Sequence, residues 1–327
     1  MSFGTTPSCL VVGLGPVGRL FAQLLREGGG SVRGVAVDPA AGPDFACDIA
    51  EPTAELRHAL AASDLVVLAV PERDALAAVP VVAHWTRPTT TVVDTLSVKQ
   101  RYLDASGPLG PRPTLSLNPL FHPALGWRGN AVAACVVREG GLVPAVLERI
   151  EATGARVRRL APEEHDPYLN TVQTATHAAL HAFARTLAGA GLPAEALTCV
   201  PPPTRLLLAL TARMLSASPD TYWDIQCSGA TSTAARAGLA QGLADLDAWT
   251  ARRDDTAFRH SLTELRAWYG PELRSLAAVA ADALSTPALS TTPAPSTTPV
   301  LPTTPAPSTT PVLPTTPAPS TTPQESL

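Results

Sequence analysis

The sequence predicts an α/β domain with a doubly wound, mostly parallel sheet, then an all-α domain and a disordered tail. Three observations carry this reading. Over the first 160 residues, short β-rich apolar runs alternate with amphipathic helical runs. Strands joined by crossover helices give a parallel sheet. From residue 162 to about 284 only helical periodicity remains. From residue 285 the chain repeats Pro/Thr/Ser units, and proline at that density excludes helix and sheet. The expected divisions are 1–160, 161–284 and 285–327.

The elements follow in order. Residues 9–12 read as the first strand. Residues 17–27 read as a helix with Val17, Leu20, Phe21, Leu24 and Leu25 on one face. Strand 32–37 and helix 53–61 come next. Residues 65–70 form a continuous apolar run, the pattern of a strand buried on both faces. Strands are expected at 92–94, 114–117, 131–137 and 155–160, with a helix at 143–152. Beyond them lie four long helical runs, 163–189, 204–216, 221–249 and 254–281. An all-helical region cannot make a nucleotide site by itself, but it can close over one and pair with a second copy.

Composition narrows the function classes. The chain has 327 residues, is 45% hydrophobic and carries a net charge of −4. It can bury a sizeable core, and nothing in its charge marks a nucleic-acid surface. Lys99 is the only lysine. The five cysteines, Cys9, Cys47, Cys135, Cys199 and Cys227, form no CxxC or zinc pattern. They read as reduced, mostly buried thiols, with no metal site and no catalytic cysteine expected. No secretory signal and no apolar stretch of about 18 residues is present, so a cytoplasmic protein without a membrane span is expected.

The segment Gly13-Leu14-Gly15-Pro16-Val17-Gly18 follows the first strand and opens the first helix. In that context a GxGxxG is the fingerprint of a dinucleotide-binding (Rossmann) fold. Gly13 permits the tight turn, Gly15 lets backbone approach a pyrophosphate, and Gly18 lets helix and strand pack closely. The pyrophosphate then meets free N–H groups at the helix start. Asp38 stands twenty residues beyond Gly18, at the end of the second strand, where a carboxylate accepts the ribose hydroxyls. It would repel a 2′-phosphate, so NAD is the expected cofactor. Val70 and Pro71, where the apolar run 65–70 ends, complete the cofactor-binding set.

Four further stretches bear on the substrate. They are Asp94-Thr95-Leu96-Ser97-Val98-Lys99, Leu117-Asn118-Pro119-Leu120-Phe121-His122-Pro123, Glu164-His165-Asp166 with His177 twelve residues on, and Arg213 with Tyr222-Trp223-Asp224-Ile225. With the glycine motif, and in this order over residues 9–280, they resemble the prephenate/arogenate dehydrogenase family. The resemblance implies a Rossmann domain, a helical dimerisation domain and an active site between them. It implies oxidative decarboxylation of a cyclohexadiene: hydride leaves ring C4 for NAD, carbon dioxide leaves C1, and the ring becomes aromatic. It places Ser97 beside the C4 substituent, Arg213 on a substrate carboxylate and His177 in the substrate pocket. Gln173 lies one turn before His177 and can join that pocket; Tyr222 belongs to the same substrate-binding set. His165 fits a structural role at the helix start as well as a catalytic one. Lys99 reads as a capping or pairing residue rather than a reactive one.

One position departs from the family pattern. Where the family has a catalytic histidine directly before the proline, this chain has Asn118. An amide cannot act as a general base at neutral pH. Three readings compete. The substrate can carry an amine at C4, as in 4-amino-4-deoxyprephenate, whose nitrogen lone pair assists hydride departure; enzymes of this kind make 4-aminophenylpyruvate for antibiotic biosynthesis. Alternatively, His122 supplies the base for ordinary prephenate, or the chain is a non-catalytic NAD-binding protein. A β-hydroxyacid dehydrogenase or imine reductase shares the two-domain plan but does not account for Asn118-Pro119 or Glu164-His165-Asp166. The first reading is the one adopted, with a homodimer as the expected assembly.

Overall fold

The computed structural model describes residues 6–191, 196–197 and 199–285. The Pro/Thr/Ser segment expected to be a disordered tail lies outside them, apart from Ser285. Eight strands form one sheet: β1 (Ser8–Val12), β2 (Ser31–Ala36), β3 (Phe45–Ala46), β4 (Leu65–Leu68), β5 (Thr91–Asp94), β6 (Thr114–Pro119), β7 (Ala131–Arg138) and β8 (Arg156–Arg159). Their order is β3-β2-β1-β4-β5-β6-β7-β8. Every neighbouring pair is parallel except β6 and β7. The order reverses between β2 and β4 around β1, and open α/β sheets bind ligands at such a switch point.

Alternation along each strand separates two cores. Cys9, Val11, Leu65 and Val67 face α1 (Pro16–Glu27), where they meet Phe21, Leu24 and Leu25. On the same face α5 (Val143–Ala152) contributes Val146, Leu147 and Ile150. Leu10, Val12, Val66 and Leu68 face the other way. There they meet Leu56 and Leu60 of α2 (Ala54–Ala62) and Ala75, Val79 and Val82 of α3 (Glu72–Trp85). Tyr102 of α4 (Gln100–Ala105) packs into this second core. Both faces of the sheet are therefore covered, as a parallel sheet requires.

The helical part comprises α6 (Pro162–Gly189), α7 (Pro202–Leu215), α8 (Pro219–Gln226), α9 (Ala230–Arg252), α10 (Asp255–Tyr269) and α11 (Glu272–Ser285). Helix α6 is held to the α8–α9 segment by the Thr174 hydroxyl, which donates to Ser232 Oγ at 2.9 Å, while the Ser232 hydroxyl donates to the Ile225 carbonyl at 3.0 Å. The sheet and the helices up to Leu284 belong to one compact unit.

Several sequence expectations need correction. The single run 221–249 is two helices, because Gly229 between them adopts φ 99°. The run 254–281 is likewise broken at Gly270, which has φ 55° and is followed by Pro271. Residues 71–91 suggest no element, yet α3 occupies most of them. Pro80 reads as a breaker in sequence, while the buried face of Ala75, Ala78, Val79 and Val82 secures the helix. The cysteines are not mostly buried: Cys9 and Cys135 are, Cys47 is half-buried, and Cys199 and Cys227 are exposed. All five are free, and burial pushes the Cys9 thiol to about 12 and that of Cys135 to about 11. No described helix is long and apolar enough to cross a membrane. Among the described residues no cluster could hold a metal ion.

Candidate active site

The glycine turn joins β1 to α1 at the switch point. Gly13 has φ 91°, and a side chain there would overlap the Ala69 carbonyl. A side chain on Gly18 would overlap the Gly13 carbonyl. At Gly15, by contrast, a Cβ meets nothing within 4 Å. Gly15 lines a cavity of about 590 Å³ together with Pro16, Val17, Val70 and Pro71. Helix α1 begins there with no side-chain cap and no acidic residue in its first turn. Its unpaired N–H groups and dipole are open to an anion. This arrangement fits the pyrophosphate of a dinucleotide.

The glycines make separable predictions. Gly15→Ala is expected to keep its melting temperature and to raise the KM for NAD about 10-fold, since a methyl forced into a tight contact costs about 1–3 kcal/mol. Gly18→Ala is expected to lose about 3 kcal/mol of stability or more, because the obstructing atom is backbone. Thermal melts with NAD titration check both. A Gly15→Ala protein with unchanged NAD kinetics would remove Gly15 from the cofactor site.

The remaining cofactor candidates lie outside this cavity. Leu14 lines a smaller hollow of about 280 Å³ with Arg19, Gly34 and Asp44. Asp38 is exposed beyond the end of β2, and its Oδ1 accepts the Ala40 N–H at 2.8 Å. The Arg33 guanidinium lies over the Phe45 ring, 5.3 Å from its centroid.

The structure brings all seven catalytic and substrate-binding candidates to the larger cavity. Ser97 enters from the loop after β5, Asn118 from β6 and His122 from the turn beyond it. Gln173 and His177 come from α6, Arg213 from α7 and Tyr222 from α8. Gln173 Oε1 and His177 Nδ1 are buried and have no hydrogen-bond partner among the described residues. Two such polar atoms one turn apart on the cavity wall fit a polar ligand, since buried groups of this kind are normally satisfied. Burial lowers the pKa of His177, and Tyr222 packs edge-on against its ring at 4.7 Å between centroids. Burial raises the Tyr222 phenol, with Arg213 nearby opposing the shift. Arg213 makes no ion pair among the described residues. Its charge is therefore available to a carboxylate.

Asn118 is almost fully buried, 1% exposed. Its Nδ2 donates to the Ser97 carbonyl at 3.4 Å and lies 3.4 Å from His165 Nε2. His165 is fully buried, and its Nδ1 is 2.7 Å from Asp166 Oδ1. Burial pushes His165 below the usual histidine range and outweighs the bond to Asp166. Burial alone would raise Asp166. Hydrogen bonds from His165 and from the backbone N–H groups of Gln100 and Lys99 outweigh it and hold the carboxyl below its ordinary value. Lys99 is a buried pairing residue: its Nζ donates to Asp94 Oδ1 at 2.9 Å and to the Leu117 carbonyl at 2.6 Å. It thereby ties the loop bearing Ser97 to the strand bearing Asn118.

Sequence reasoning missed part of the wall. Glu72, at the start of α3, lines the cavity; its carboxyl is raised by burial, against the pull of Arg101 2.7 Å away. Asp224 of α8 also lines the cavity and accepts the Glu72 backbone N–H. Glu72 carries no signal in sequence, because α3 itself was not anticipated; Asp224 stands inside the Tyr222-Trp223-Asp224-Ile225 stretch but was given no role of its own. Leu180, Leu210 and Met214 add apolar wall from the helical part.

The comparisons with known proteins agree with this geometry. No family model matches the chain. It is 40% identical over 280 residues to the 4-amino-4-deoxyprephenate dehydrogenase of Streptomyces pristinaespiralis, covering 83% of this chain and 95% of that one. It is 28% identical to the T-protein of Enterobacter agglomerans over 81% of this chain and 68% of the relative. Among solved structures it resembles an Aquifex aeolicus prephenate dehydrogenase in complex with hydroxyphenyl propionate and NAD+. There the TM-score is 0.65 at 20% identity, covering 80% of this chain and 97% of that one. Synechocystis arogenate dehydrogenase matches with a TM-score of 0.55 at 16% identity, covering 80% and 98%. With its Rossmann sheet, its helical partner and the cavity between them, the chain belongs to the prephenate/arogenate dehydrogenase family of NAD-dependent, decarboxylating dehydrogenases.

Proposed function

We propose that the substrate is 4-amino-4-deoxyprephenate and the product 4-aminophenylpyruvate, a precursor of 4-aminophenylalanine. The observation that carries this reading is Asn118, an amide on the cavity wall where the family motif has a histidine. NAD, when bound, accepts the hydride that leaves ring C4. As the C4–H bond breaks, the amine lone pair moves into the ring, the C1–carboxylate bond breaks to release carbon dioxide, and the ring becomes aromatic. No proton must leave the amine, so no general base is required. The chain's own residues bind and orient. Arg213 grips a substrate carboxylate, Gln173, His177 and Tyr222 line the ring pocket, and Ser97 and Asn118 flank the C4 substituent. The Asn118 Oδ1 accepts an amine N–H and aligns the nitrogen. Gly13 to Gly18, Asp38, Val70 and Pro71 form the NAD site. The division into 1–160 and 161–284 assigns NAD to the first part and most of the substrate wall to the second.

His122 is a poor substitute base. Its Nδ1 accepts the Ala124 N–H at 3.2 Å, so in the neutral ring the proton sits on Nε2.

Steady-state kinetics with both substrates test the proposal. The amine is expected to exceed prephenate in kcat/KM by about 100-fold, the lower range of a general-base contribution. Equal turnover of the two would overturn it. We further propose that the protein is a cytoplasmic homodimer. Helices α9 to α11 expose Leu243, Leu246, Phe258, Leu265, Trp268 and Leu276, an apolar load that a second copy would cover. A monomer in sedimentation would exclude the dimer.

A further inference from the structure

We propose that His165, held by Asp166, is a positioning residue that fixes the Asn118 amide with its oxygen toward the substrate. The inference deepens the reading of Asn118 as the contact to the C4 substituent, and rests on it. Three groups in series set the orientation. The Asp166 carboxylate accepts two backbone N–H groups, Lys99 at 2.9 Å and Gln100 at 2.8 Å, which anchor it. Its Oδ1 can only accept from His165 Nδ1, 2.7 Å away, so the ring proton resides on Nδ1. Nε2 is then a bare lone pair facing Asn118 at 3.4 Å.

The Ser97 carbonyl faces the same end of the amide at 3.4 Å, and a carbonyl can only accept. Both neighbours therefore demand Nδ2 on the inner side. A flipped amide would set oxygen against two acceptors. The oxygen is left for the cavity, where it accepts from an amine or a hydroxyl but cannot donate to either. The tautomer of a buried histidine, together with the Ser97 carbonyl, thus sets which atom the substrate meets. His165 is fully buried and lines no part of the cavity, so it acts through Asn118 alone.

The test is a double-mutant cycle read as kcat/KM for 4-amino-4-deoxyprephenate, with the KM for NAD as a control. His165→Phe is expected to lower kcat/KM on the order of 30-fold, the scale of one misplaced hydrogen bond, with the KM for NAD unchanged. In an Asn118→Ala background the same change is expected to cost less than about 2-fold, since nothing remains to be positioned. His165→Gln, which keeps an acceptor near Nε2, is expected to recover most of the activity. An equal loss in both backgrounds, or no loss in either, would overturn the proposal.

Asp166→Asn serves if the phenylalanine variant does not fold. It is nearly isosteric, but its amide N–H faces His165 Nδ1 and moves the ring proton to Nε2. The same loss is expected there, again absent with Asn118→Ala. A wild-type enzyme that prefers prephenate would refute the substrate reading. The coupling between positions 118 and 165, measured with whichever substrate is faster, judges the positioning role separately.

Discussion

Asn118→His is expected to raise kcat/KM for prephenate by about 100-fold and to leave the KM for NAD unchanged. The magnitude is the lower end of what a placed general base contributes. The site is already shaped for the exchange. The wall that receives the amide N–H, the Ser97 carbonyl and His165 Nε2, would receive the N–H of an introduced imidazole. The other ring nitrogen would then face the cavity as a bare acceptor, able to take the hydroxyl proton as hydride leaves. Activity with the amine substrate is expected to fall less than 10-fold, because an imidazole nitrogen also accepts an N–H. Steady-state assays of wild type and variant with both substrates decide the matter. No gain with prephenate would place the choice between hydroxyl and amine at another residue.

Arg213→Ala is expected to raise the substrate KM roughly 10–100-fold, the value of hydrogen bonds to a charged partner. The effect on NAD should be negligible, since Arg213 comes from α7 in the helical part, whereas the glycine turn joins β1 to α1. The side chain is exposed and makes no ion pair among the described residues. Its removal therefore strands no buried charge and should leave the melting temperature unchanged. Arg213→Lys is expected to recover only part of the loss, because an ammonium lacks the planar fork that grips a carboxylate. Substrate kinetics indistinguishable from wild type would take Arg213 out of the site.

Much of the site was legible because each signal is local. The glycine turn is read from a strand, three glycines and a helix in one stretch, and these elements form as expected. Arg213 and His177 were picked out through the order of their motifs along the chain and Gln173 by standing one turn before His177; the structure places all three on the cavity wall. Helix α3 was not legible, because Pro80 in its middle reads as a breaker and only packing against the sheet secures the helix through Ala75, Ala78, Val79 and Val82. Glu72 was lost with it, and so was its approach to Asp224, which joins segments about 150 residues apart in sequence.

The amino-acid sequence by itself determined the alternation that builds a parallel sheet, the uncapped glycine turn, and the amide that replaces a base at position 118. Those are properties of neighbouring residues, set by sterics, periodicity and side-chain chemistry. What the tertiary structure alone supplied is the contact of Asn118 with Ser97 and His165, on which the proposed direction of the amide rests. An amide has a donor end and an acceptor end of nearly equal size. Which end meets the substrate depends on Ser97, His165 and Asp166, brought from two other segments of the chain to one wall of the cavity.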